Sequence, residues 1–217
     1  AAHAALGDHY FYNYQTTEAI RHYNRVVELH EPDGRHYERG LFGLAWAYYN
    51  ANEFGESQKL LVKLLDWSEG ARIRSGRRSG VHQEAEEYLA ISFNAQTDAD
   101  LAGPGGKVLS VSAPQAAKQF FRMVGERSYE PSVYLLLAQS LEQVTRYQEA
   151  IEVYDYLITR WPNEADNPKH LYRTAELYMS LQPAQEDKAD GVISRLNELF
   201  NRDGAWAHAN RNNPDAL

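Results

Sequence analysis

Apolar positions along this chain recur at three- and four-residue intervals, in stretches bounded by Asn, Gly, Pro or Asp, and the alternating pattern of half-buried strands is scarce. The spacing predicts an all-α chain. Four segments superimpose: "ALGDHYFYNYQTTEAIRHYNRVVEL", "GLAWAYYNANEFGESQKLLVKLLDW", "LLAQSLEQVTRYQEAIEVYDYLITRWP" and "RTAELYMSLQPAQEDKADGVISRLNELF". Each reads as helix, short polar turn, helix. Small residues stand where the two helices of a hairpin would touch, at a nearly constant step: Gly7 to Ala19, Ala45 to Ser57 and Ala138 to Ala150 are each 12 positions apart.

A further copy is interrupted. Its first helix is "HQEAEEYLAISFN" and its second "PQAAKQFFRMV", but Ala90 to Ala117 is 27 positions, 15 more than the usual step. The surplus falls within "DLAGPGGKVLSVSAPQ", which at first sight suggests a phosphate loop around Lys107. A Walker loop needs Gly, four residues, then Gly-Lys-Ser/Thr. Here Leu101 stands at the first glycine and Val108 at the hydroxyl, so the stretch reads as an inserted connection. A second surplus, "SEGARIRSGRRSGVH", precedes this copy. In the last copy Ala175 to Ala189 is 14 positions, and Gly191 is expected to interrupt the second helix.

These residues resemble the tetratricopeptide repeat, a hairpin unit of about 34 residues with small residues on both helices. Leu137, Ala138, Leu141, Tyr147, Ala150, Tyr154 and Leu157 match family positions, and Trp161-Pro162-Asn163 closes that copy. Leu6, Gly7, Tyr10, Ala19 and Tyr23 match in the first copy, and Leu44, Ala45, Tyr48, Phe54, Ser57, Leu61 and Leu64 in the second. The resemblance implies an all-α, right-handed superhelical solenoid of about five helix-turn-helix repeats. A single domain over 1–217 is expected, with repeats at 1–33, 38–71, 81–126 (inserted loop 97–112), 131–164 and 168–201, and a tail at 202–217. Tyr10, Tyr23, Tyr48, Phe93, Phe121, Tyr154 and Tyr178 fall on core positions.

The resemblance further implies that the first helices line a concave binding surface. In this register Phe11, Tyr12, Phe42, Trp46, Tyr49 and Tyr172 face the groove, with Arg39, Glu87, Gln139, Glu142 and Gln143 as polar contacts beside them. Such a surface suits an extended or helical protein segment. The family's clamp for a C-terminal carboxylate is not expected, because Ala4, Asp8, Phe42 and Trp46 occupy its places in the first two repeats.

Composition narrows the function classes. With 43% hydrophobic and 24% charged residues the chain is too apolar for disorder. A formal charge of -8 argues against a general nucleic-acid binder. No apolar run approaches a membrane span. The chain has no cysteine, and its eight histidines form no HExxH pair, so no cofactor, no metal site and no catalytic residue is expected. Glu84, Glu86 and Glu87 stand on a first helical turn, where the helix dipole favours them without a chemical role. Arg72, Arg74, Arg77 and Arg78 are expected to form a basic loop, open to an acidic segment, a lipid headgroup, a polyanion or solvent alone.

Residues 158–181, "ITRWPNEADNPKHLYRTAELYMSL", are similar to the junctions of repeat proteins of the bacterial envelope. That similarity implies a periplasmic or outer-membrane-associated scaffold with a protein partner. The chain opens on Ala1-Ala2 rather than Met, which suggests a processed piece whose missing N-terminus could associate it peripherally with a membrane. A cytoplasmic adaptor on the same fold and a self-associating solenoid are the alternative readings; the oligomeric state is not legible.

Overall fold

The structure, a computed structural model, describes residues 2–29, 35–102, 111–201 and 204–214. Among the described residues every regular element is a helix. They gather into two compact units, Ala1–Ala113 and Pro114–Leu217.

Unit 1 contains α1 (Ala2–Tyr12), α2 (Thr16–Leu29), α3 (Arg35–Asn50), α4 (Phe54–Ser75) and α5 (His82–Ala102). Consecutive helices pack together, and α1 also meets α3, as α3 meets α5. First helices of successive hairpins are therefore neighbours. This is how hairpins too short to bury their own apolar faces share one core. On α2 the buried residues Ala19, Tyr23 and Val26 follow helical spacing, and Ala19 and Tyr23 pack with Leu44 and Ala47 of α3. The small pairs expected from the 12-residue step, Gly7 with Ala19 and Ala45 with Ser57, are all buried.

Tyr23 explains two of the glycines. A Cβ on Gly7 would lie 2.6 Å from the Tyr23 ring, and one on Gly43 would lie 2.5 Å from it. Tyr23 thus threads between the backbones of α1 and α3, where no larger residue leaves room for the ring.

Three of the hairpin turns share one geometry. Tyr14, Asn52 and Thr145 all take the left-handed conformation, with φ of 58°, 60° and 60°. The next amide in each case donates back into the first helix: Gln15 to the Tyr10 carbonyl (2.9 Å), Glu53 to Tyr48 (3.0 Å) and Arg146 to Leu141 (2.9 Å). These bonds satisfy carbonyls that the helix end would leave open. Non-glycine residues resist this conformation, so its recurrence reflects a turn imposed by helix packing.

Unit 2 comprises nearly all of α6 (Ala113–Val124), with α7 (Glu130–Gln143), α8 (Tyr147–Arg160), α9 (Asn167–Ser180), α10 (Glu186–Leu199) and the short α11 (Ala205–Ala209). The Phe121 ring of α6 meets Tyr134 of α7 at 5.5 Å, and Lys118 reaches Glu152 of α8 at 2.8 Å. Ala138 and Ala150 are fully buried at the α7–α8 crossing. Ile158, Leu171, Ala175, Ala189 and Val192 join α8, α9 and α10. Helix α11 folds back on the turn before α9: Trp206 Nε1 donates to the Glu164 carbonyl at 2.7 Å and Asn210 to that of Asn163 at 2.8 Å.

Three expectations need correction. The surplus at 68–80 is largely helix, because Ser68–Ser75 prolong α4 until Gly76, at φ 73°, turns its amide back to the Arg72 carbonyl. Glu69, Ala71, Arg72 and Arg74 are good helix formers, which a turn assignment underrated. Likewise α5 continues to Ala102, so the inserted connection begins later than residue 97; Lys107 and the glycines beside it lie outside the described residues. Gly191 does not interrupt α10, which runs through it with open space where a side chain would stand.

Candidate functional site

In unit 1 the first helices bring five aromatic rings together. Phe42, Trp46 and Tyr49 lie along one stripe of α3 at four- and three-residue spacing. Phe11 of α1 meets Trp46 at 4.8 Å between centroids. Tyr88 of α5 stands among the others, 5.8 Å from Phe42, 5.5 Å from Trp46 and 5.8 Å from Tyr49. Phe42 and Tyr49 meet Tyr88 edge-on, at 72° and 76°, the geometry that aromatic quadrupoles favour, and Trp46 is tilted to it at 51°. All five remain partly exposed. Tyr12, 73% exposed, touches Phe11 edge-on at the margin.

Tyr88 was missed by the sequence reading. It occupies the register position held in α3 by Gly43, two residues before the small Ala45 and Ala90. Its ring, partly buried, lies against the stripe of α3.

The polar residues expected in the groove behave differently. Arg39 is ion-paired with Asp8, which also accepts the Tyr23 hydroxyl at 2.7 Å. Burial and that carboxylate hold the Tyr23 phenol far above its ordinary titration range. Glu87 is exposed beside Tyr88. In unit 2, Gln139 and Gln143 are exposed on α7, and Tyr172 is 55% exposed on α9. Glu142 is already engaged: it accepts the Tyr154 hydroxyl at 2.6 Å and two guanidinium bonds from Arg173, at 2.8 and 2.5 Å.

Asp8–Tyr23–Arg39 and Glu142–Tyr154–Arg173 are one device used twice. A carboxylate on a first helix takes a tyrosine hydroxyl from its own hairpin and an arginine from the next first helix, 31 residues on in both cases. It stitches successive hairpins together on the side where the first helices lie.

The arginines expected in a basic loop are also redistributed. Arg72 and Arg74 lie on α4, and Arg72 and Arg78 both bind Glu69, at 2.9 and 2.7 Å. Glu69 belongs to a buried group at the α4–α5 connection. His82 Nδ1 lies 2.9 Å from Ser68 Oγ, and Nε2 lies 3.3 Å from Glu86 and 3.7 Å from Glu69. Ser79 donates its amide to Ser68 and its hydroxyl to Glu38, at 2.9 and 2.6 Å. Ser, His and Glu in sequence suggest a nucleophile, but Ser68 is wholly buried, so no substrate reaches it. The group is a clasp that fixes the start of α5.

Burial would raise the Glu69 carboxyl, but Arg72 and Arg78 outweigh it and hold the group below the usual carboxylate range. Its contribution to stability is therefore present above that range and is lost as pH falls through the depressed folded value. Glu69→Gln should accordingly lower the melting temperature at pH 7, with the gap from wild type closing below about pH 4. Thermal melts of both proteins from pH 7 to 3 check this.

Among the described residues no three His, Asp or Glu side chains are placed to hold a metal ion, and no helix is long and apolar enough to cross a membrane.

Residues 132–164, most of α7 and all of α8, match the family model for the tetratricopeptide repeat. No curated protein matches the chain. Among solved structures, the chain is similar to a MamA RS-1 ArsTM double mutant at 12% identity, covering 91% of this chain and 92% of that one, with a TM-score of 0.42. A Podosopora anserina chain of nearly identical TPR-like repeats gives 15% identity, 94% and 96% coverage and a TM-score of 0.41. MamA AMB-1 gives 15%, 95% and 94%, and 0.36. The chain accordingly carries the tetratricopeptide repeat at residues 132–164, and α1–α2 and α3–α4 are hairpins built on the same turn.

Proposed function

We propose that the chain is a non-catalytic protein-interaction scaffold that holds a segment of a partner protein against the aromatic face of α1, α3 and α5. The observation that supports it is the set of five rings, drawn from three helices, left half-buried on the side of the first helices. Rigid rings offer large contact area at little entropic cost, and such residues dominate binding energy at interfaces. The tetratricopeptide repeat of α7–α8 supports the same reading.

Replacing Trp46 and Tyr49 together by alanine should lower partner recovery at least about tenfold, as two central aromatic contacts are worth. Affinity capture with the 217-residue chain, quantified by mass spectrometry, reads this. Helix content and melting measured by circular dichroism separate lost binding from lost folding. Unchanged recovery from a folded variant would remove the aromatic face from the proposal.

The bacterial-envelope setting is a separate part of the proposal, supported by the junction residues 158–181. Fractionation of the source cells tests it, and a wholly cytoplasmic pool would replace it with the adaptor reading.

A further inference from the structure

The charge around the aromatic face is one-sided. Along its first two turns helix α5 carries Glu84, Glu86 and Glu87 and neither lysine nor arginine. Glu86 is turned inward to His82, whereas Glu84 and Glu87 are exposed. Glu84 stands one helical turn before Tyr88, on the same side of α5. Glu87 is close enough for its charge, after burial the next cause, to help push the Tyr88 phenol upward, with Tyr49 adding to it. On α3 the Arg39 guanidinium is committed to Asp8. The rings thus border carboxylates whose charge the neighbouring arginine does not offset.

A positively charged side chain answers both features. Its methylene stem lies on apolar ring surface, its head is attracted to the faces of Trp and Tyr, and the carboxylates complete the charge pairing. An acidic segment would meet uncompensated repulsion, and a purely apolar one would leave Glu84 and Glu87 without a partner.

Resting on the docking reading above, we infer that the occupant of this face is a basic segment of a partner protein, with a lysine or arginine lying over Trp46 and Tyr88 and its charged head toward Glu84 and Glu87. The surface is thereby selective for charge as well as for apolar area, and its association weakens with rising salt.

Fluorescence anisotropy with labelled synthetic peptides tests this. The probes are a twelve-residue peptide alternating leucine and lysine, the same peptide with every lysine acetylated, and its leucine–glutamate counterpart. The expected result is that the lysine peptide binds wild-type protein, that acetylation or the double substitution Glu84→Gln and Glu87→Gln weakens it about tenfold, and that Glu186→Gln with Asp187→Asn on α10 leaves it unchanged. Equal weakening by the α10 pair would overturn the inference by showing bulk attraction alone. Equal binding of the acetylated or glutamate peptide, or no binding of the lysine peptide, would overturn the basic occupant. The docking reading fails separately: it falls if Trp46→Ala with Tyr49→Ala leaves the affinity of whichever peptide binds unaltered.

Discussion

Valine in place of Gly43 should destabilise unit 1 by about 2–3 kcal/mol, because overpacking outweighs the gain in helix propensity. A Cβ there would stand 2.5 Å from Tyr23 Cε1 and 2.6 Å from Cζ. The ring cannot retreat, since the backbone at Gly7 closes its other side, where a Cβ would also stand within 2.6 Å. Its hydroxyl is tethered to Asp8 as well. Removing a glycine from a helix interior otherwise stabilises, by roughly 0.5–1 kcal/mol. Gly191→Ala in α10, where nothing lies within 4 Å, should therefore raise stability. Opposite shifts in melting temperature for the two variants are the expected outcome. A neutral Gly43→Val would show that Tyr23 has room to move.

Glu142→Ala should cost unit 2 about 2–3 kcal/mol, the penalty for leaving a buried hydroxyl without an acceptor together with the loss of a charge-assisted pair. Tyr154, only 3% exposed, gives its hydroxyl to Glu142. Arg173 is about half exposed, so it turns to water and adds less. Adding Tyr154→Phe removes the orphaned donor, so the double variant should recover part of the loss, a non-additivity that denaturant titration measures. Asp8→Ala should act in the same direction in unit 1, since Asp8 holds Tyr23 and Arg39 in the same way. Additive single and double effects at Glu142 would show that the tyrosine and the carboxylate are energetically independent.

The repeat was legible because it rests on residue size at fixed spacing. Gly7, Ala19, Ala45, Ser57, Ala138 and Ala150 are buried where the 12-residue step placed them. So are Tyr23, Phe93, Phe121 and Tyr154, while Tyr10, Tyr48 and Tyr178 are partly buried against the same cores. Helix length was less legible, since α4 extends through residues whose charge suggested a loop but whose propensity is helical. Contacts between first helices were the hardest to foresee. Glu142 resembles a groove residue by position, and nothing in the register shows that Arg173, 31 residues later on α9, reaches it. Tyr88 was hidden for the same reason, because a residue's register does not say which neighbour's side chain leaves space for it. The clasp of Ser68, Glu69 and His82 depends on how α4 returns into α5, a connection longer than the repeat pattern describes.

The aromatic face is tested most directly by the tryptophans. The chain has four, Trp46, Trp67, Trp161 and Trp206. Trp46 stands on the proposed docking face, whereas Trp67 packs near Tyr37, Trp161 near Tyr134 and Tyr156, and Trp206 is buried and bonded through its indole to Glu164. Each gives one resonance after labelling with 5-fluorotryptophan, assigned by single Trp→Phe variants. Titration with the leucine–lysine peptide should shift the Trp46 resonance progressively to saturation and leave the other three in place. A saturable shift at Trp161 or Trp206 with Trp46 unmoved would contradict the account.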